Sequence, residues 1–120
     1  MANPNIVNVA SIYGKTTGGL ATTVGASLSP AAANEIAKVN TLYVANVGAS
    51  AQTIDVMIIE SINEVDSQYQ IAYGISDPAS STLTVIDKNS AVYVDENQTL
   101  TLLSSDDTSL QYTVSYEVIA

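Results

Sequence analysis

Leu110, Tyr112, Val114, Tyr116 and Val118 alternate with Gln111, Thr113, Ser115 and Glu117 at the end of the chain. A strand points successive side chains to opposite faces, so this period of two marks a strand with one dry face and one wet face. A helix, with its 3.6-residue period, would scatter the same residues around its axis. The pattern recurs. Ile54, Val56 and Ile58 alternate with Thr53, Asp55 and Met57, and Leu100 and Leu102 alternate with Thr99 and Thr101. Tyr69, Ile71, Tyr73 and Ile75 alternate with Gln70, Ala72 and Gly74. Shorter strands are expected at 83–86 and 91–94.

Turn signals fall where the alternation lapses: 14–19, 29–30, 48–51, 63–66, 77–78, 87–90, 95–98 and 104–109. That spacing predicts an all-β, antiparallel β-sandwich, jelly-roll-like, with about eight or nine strands. The whole chain, 1–120, is expected to be one domain. Ser29 to Lys38 fits either a short helix, capped by Ser29 with Pro30 in its first turn, or a plain loop.

Two segments are apolar on both faces. Ile6, Ala10 and Ile12 oppose Val7, Val9 and Tyr13, and Val39, Tyr43, Ala45 and Val47 oppose Leu42 and Val44. Strands of this kind are buried on both sides. In a small sandwich the cover comes from a loop of the same chain or from another subunit, and the sequence leaves both open.

Composition narrows the chemistry. The chain has no His and no Cys, and its 3 cations against 12 Asp and Glu leave a net charge of −9. The commonest general base, thiolate nucleophiles and the softer metal sites are therefore absent. A chain this acidic repels nucleic-acid phosphates and anionic membrane surfaces. No run approaches the roughly 18 apolar residues of a membrane span. The opening residues do not look like a signal peptide, so synthesis in a cytoplasm is expected. With hydrophobic residues at 47 %, disorder is disfavoured. All 7 aromatic residues are Tyr.

Few motifs carry chemistry. Gly14-Lys15-Thr16 echoes the end of a phosphate-binding loop, but Val9 stands where its first Gly belongs, and Gly18 and Gly19 oppose the helix it needs. A flexible hairpin loop is the plainer reading. Asp95-Glu96-Asn97 and Asp106-Asp107 would suit Ca²⁺ if the two loops faced each other; solvated turn carboxylates are the simpler expectation. Ser and Thr are abundant, yet no base is present to activate them. Paired carboxylates in a domain without Trp make a poor glycosidase cleft. The reading is non-enzymatic, with no metal and no cofactor. Tyr69, Tyr73, Tyr112 and Tyr116 are expected to fill the core edge in place of Phe, with a role between subunits as the alternative.

Several stretches resemble small virion structural proteins of contractile-tailed bacteriophages of the cyanophage type. They are Ala2 to Val9 with Ile12 to Thr16, Lys38 to Val47, Ile86-Asp87-Lys88 leading into Val92 to Glu96, and the closing Leu110 to Glu117. The similarity spans nearly the whole chain. One departure is Asn97, where the family is expected to carry a turn Gly; Asn also tolerates positive φ.

The resemblance implies an architectural role in a virion. The expectation is a decoration or cement protein on the outer head surface, binding the major capsid protein or other virion proteins, preferably as a homotrimer, without nucleic acid or membrane. Alternatives are a neck, tail or baseplate adaptor, and a module binding host polysaccharide. The candidate interface residues are Asn3, Asn5, Ile6, Val7, Val9, Tyr13 and Tyr43. Residues 1–13 are a candidate arm that pairs with a neighbour's sheet edge.

Overall fold

The alternating C-terminal stretch forms strand β9 (Leu110–Ile119), at the heart of one of two antiparallel sheets. The computed structural model describes residues 12–28 and 34–119. Along these lie β1 (Ile12–Leu20), β2 (Ala26–Leu28), β3 (Ile36–Asn46), β4 (Gln52–Ile62), β5 (Val65–Asp77), β6 (Thr82–Ile86), β7 (Val92–Asp95) and β8 (Gln98–Ser104), followed by β9. A 3₁₀ turn, Lys88–Ser90, separates β6 from β7.

One sheet runs β1-β9-β3-β6, and β7 also pairs with β3; the other runs β2-β8-β4-β5. The strands β6 and β7 take different lengths of β3, at 42–45 and 36–39, so they act as one interrupted strand. Every other connection except the β4–β5 hairpin crosses from one sheet to the other. This is the double Greek key of a jelly roll, so the expected fold class is observed.

Val39, Leu42, Val44, Ile86, Val94, Leu110, Val114 and Val118 of the first sheet pack against Ile54, Val56, Leu100 and Leu102 of the second. Each such burial stabilises by roughly 1.5–3 kcal/mol relative to an exposed side chain. At one end of the sandwich the buried Asn46 ties loops together. Its Nδ2 donates to the carbonyls of Ser50 and Asp77, and its Oδ1 accepts the Gly48 N–H.

Four expectations change. First, β3 does not bury two faces. Its register against β9 slips between Val39 and Thr41, so Asn40 is the extra residue of a bulge. Val39, Leu42 and Val44 then share the inner face, while Tyr43 and Val47 are exposed. Second, β5 holds two extra residues relative to β4. Ile54 pairs Ile75, Val56 pairs Ala72 and Met57 pairs Gln70. The frame slips twice, so Ala72, and not Ile71 or Tyr73, packs against the core.

Third, Gly14–Gly19 is strand rather than loop, paired throughout with β9. Close approach of the Tyr112 backbone requires glycine at Gly18, and the Tyr112 side chain lies against Gly19. A Cβ on Gly18 would lie 2.9 Å from the Tyr112 carbonyl oxygen, and one on Gly19 2.8 Å from the Tyr112 hydroxyl. Fourth, Ile36 to Lys38 belongs to β3, so no helix reaches Lys38; residues 29–33 lie outside the described residues. Among the described residues, positive φ outside glycine falls at Asn34, Asn63, Glu64 and Ser80, and not at Asn97.

Candidate protein interface

The β4–β5 hairpin turns through Asn63 (φ 53°) and Glu64 (φ 65°). Two positive φ values in a two-residue loop make a type I′ turn, which matches strand twist and strongly favours Gly at its second position. Asn tolerates that conformation, whereas Glu carries a Cβ penalty there. The Glu64→Gly variant is expected to be more stable by about 0.5–1 kcal/mol in urea unfolding. A loss of stability would contradict this account of the turn.

The hairpin outruns its own sheet. Strand β8 follows β4 only as far as the Glu60–Gln98 pair, and the Ser61 N–H closes on the Asn97 carbonyl at 3.0 Å. Beyond that point the ribbon has two strands. Ile62 and Val65 are exposed on this overhang, and Tyr69, Ile71, Tyr73 and Ile75 are exposed further along β5, beside the stretch of β4 that still pairs β8, Tyr69 by 61 % and Tyr73 by 73 %. The edge of β5 away from β4 has no strand partner among the described residues. A long edge with apolar side chains is a template for another chain.

The tyrosines therefore divide. Tyr116 belongs to the core and Tyr112 packs on it, as expected of residues replacing Phe. Tyr69 and Tyr73 do not: both lie on β5, the open edge strand of the second sheet, and are exposed. Charge is also divided. Lys15 lies on β1, Lys38 on β3 and Lys88 in the turn between β6 and β7, all belonging to the first sheet. The strands of the second sheet hold Asp55, Glu60, Asp66 and Asp77 and no cation.

Of the candidate interface residues, Asn3, Asn5, Ile6, Val7 and Val9 lie outside the described residues. Tyr13 and Tyr43 are both exposed, at 50 % and 41 %. The fold does not bring them together. Tyr13 pairs Val118 and Tyr43 pairs Thr113, on opposite faces of the sheet and about 17 Å apart along β9. Ile62, Val65 and Glu64 do not stand out in the sequence. The available signal was a Glu where a two-residue hairpin calls for Gly.

No catalytic or metal constellation forms among the described residues. The two acidic clusters sit at opposite ends of β8, about 20 Å apart, so they cannot share a Ca²⁺. Their carboxylates serve turns instead. Asp95 Oδ1 accepts the Asn97 N–H, Glu96 Oε2 accepts the Asn34 N–H, and Asp106 accepts from Ser109. Gly14-Lys15-Thr16 lies within β1, where no helix follows to bind phosphate.

A cavity of about 190 Å³ opens between Val39, Val114 and Tyr116 of one sheet and Leu28 and Leu100 of the other, with Thr17 and Ser27 at its polar side. Its lining is apolar apart from hydroxyls and holds no acid–base pair.

Asp107 accepts two hydrogen bonds from Thr23, from the backbone N–H at 2.8 Å and from the hydroxyl at 2.9 Å. These bonds, the backbone one foremost, hold its carboxyl below the ordinary value of 3.8. A depressed folded-state pKa gives stability that is present above 3.8 and is lost as pH falls through the folded value. The Asp107→Asn variant is expected to show a shallower loss of melting temperature below that pH than the parent chain. Parallel acid limbs would contradict this.

No protein-family model matches the chain, and no curated protein sequence matches it. Solved structures do. The structure of infectious bursal disease virus, Gx strain, aligns over 91 % of this chain with 8 % identity and a TM-score of 0.49. The T13 particle of the same virus aligns over 91 % with 9 % identity and a TM-score of 0.49. This chain spans about a third of each of those chains, 32 % and 30 %. The jelly-roll assignment rests on strand order, independently of these likenesses.

Proposed function

We propose that this chain is a non-enzymatic virion structural protein, a decoration or cement protein on the outer surface of a phage head. The observation that carries the reading is the row of exposed apolar and tyrosine side chains along the open edge strand β5, which suits contact with another polypeptide. The sequence resemblance to small phage virion proteins supports it. The net charge of −9, with a second sheet whose strands hold no cation, supports an outside position over one lining packaged DNA.

The mechanism is stapling. Each copy buries apolar edge surface across neighbouring capsid subunits, binds only the assembled shell and so stabilises it. A homotrimer suits pseudo-threefold sites on such a shell. Residues 1–11 act as the arm that reaches a neighbour, since Ile12 and Tyr13 pair Ile119 and Val118 within the chain's own sheet.

Quantitative mass spectrometry of purified particles tests the placement. Hundreds of copies per particle are expected, and tens would favour a neck, tail or baseplate adaptor instead. Deleting residues 2–9 is expected to lower particle occupancy at least about tenfold with little change in melting temperature. Unchanged occupancy would refute the arm. A second reading, favoured by the exposure of Tyr69 and Tyr73, is a polysaccharide-binding module. Glycan-array binding that is lost on substituting both tyrosines would support it over the first.

A further inference from the structure

We propose that the N-terminal half of β5, Val65–Gln70, accepts an extended, Lys- or Arg-bearing segment of a capsid protein as an added strand. This rests on the virion reading and names the chemistry of its partner.

The two halves of β5 differ. From Ile62–Val65 to Met57–Gln70 the pairing with β4 is regular, whereas both register slips fall between Gln70 and Ile75. A bulged edge is twisted and blunted against strand addition, while a regular one displays an even row of backbone donors and acceptors. The regular half begins on the overhang, at Val65 and Asp66, and its residues 65–66 and 68–70 are exposed. A strand added there gains main-chain hydrogen bonds, and Val65 and Tyr69 supply apolar contacts.

Charge selects the occupant. Across 52–77 the hairpin carries Asp55, Glu60, Glu64, Asp66 and Asp77 and neither Lys nor Arg. Glu60, Glu64 and Asp66 gather at the open half. A second copy of this chain would bring the same uncompensated carboxylates to the same edge, so edge-to-edge self-pairing is opposed. A segment alternating apolar with basic residues is complementary to it. Glu64 fits this reading: a residue unfavourable for its turn places a carboxylate beside the open edge.

The test uses the full chain and a nine-residue peptide, Lys-Val-Thr-Val-Lys-Val-Thr-Val-Lys, with a counterpart carrying Glu for each Lys. Amide hydrogen exchange with the Lys peptide is expected to show new protection confined to Val65–Gln70. The Glu peptide is expected to bind at least about tenfold more weakly at low salt. Two variants separate the contributions. Glu64→Gly keeps the fold and removes a carboxylate, and it is expected to weaken binding several-fold. Tyr69→Asp adds negative charge but removes the apolar contact, and it is expected to weaken binding as well; unchanged or tighter binding would mean electrostatic adhesion only and would overturn strand addition. Protection at Ile71–Asp77, or a dimer joined through β5 in sedimentation, would also overturn it.

Co-sedimentation with particles separates this proposal from the reading beneath it. Equal loading of parent chain and Tyr69→Asp sinks the edge proposal and leaves the virion role intact. Failure of the parent chain to load sinks the virion role, and the capsid partner with it.

Discussion

Replacing Asn46 with alanine is expected to cost about 3 kcal/mol of unfolding free energy, read as a lower urea midpoint at unchanged slope. Asn46 is 2 % exposed. Its amide holds the Ser50 and Asp77 carbonyls, each at 2.8 Å, and its carbonyl oxygen accepts the Gly48 N–H at 2.9 Å. The backbone of the same residue bonds Ser81 and Ser80. One side chain thus joins the β3–β4 loop to the β5–β6 loop. Alanine removes the partner of three backbone groups, and a buried polar group without a partner costs about 1–3 kcal/mol. Water reaches the exposed Ser50 end and recovers part of that. A cost below about 1 kcal/mol would show that the loops hold without the knot.

Truncating Leu102 to alanine is expected to cost about 3–4 kcal/mol. Leu102 is fully buried and lies between Ala26 of β2 and Val56 of β4 in the central layer. Its cross-strand neighbours, the small Ala26 and the β-branched Val56, cannot swing into the space. In a domain stabilised by 5–15 kcal/mol, that is a large fraction of the total. Tyr73→Ser is the contrast. At 73 % exposure it is expected to change stability by less than about 0.5 kcal/mol. The difference between the two distinguishes a residue that serves the fold from one available to a partner.

The same contrast shows what was legible in the sequence. The alternation in β4, β8 and β9 was directly readable because those strands run without interruption between their neighbours. Turn residues then delimited the shorter β6 and β7. The misreadings share a cause. Bulges at Asn40 and within Gln70–Ile75 insert residues that shift the period of two, and nothing local in the sequence announces a bulge. Thus Val39 and Leu42 look like opposite faces of β3 though both point inward, and Tyr73 looks like core though Ala72 takes the inward place. Gly14–Gly19 looked like a loop because glycine punctuates turns. Its reason is tertiary: the Tyr112 carbonyl and ring, almost a hundred positions away, lie against Gly18 and Gly19.

The candidate interface was legible only in part. Its tyrosines stand out, but their exposure depends on β5 being the open edge strand of its sheet. The separation of lysines onto one sheet is a property of strand order, since Lys15, Lys38 and Lys88 are far apart in the chain. Tyr13 and Tyr43, named together, fall on opposite faces for the same reason.

Cryo-electron microscopy of intact particles tests the central claim most directly. The account predicts a nine-stranded jelly roll repeated over the outside of the head, with the β4–β5 hairpin against a capsid subunit. Density for this chain only on the neck or tail, or on the inner face of the shell, would contradict it.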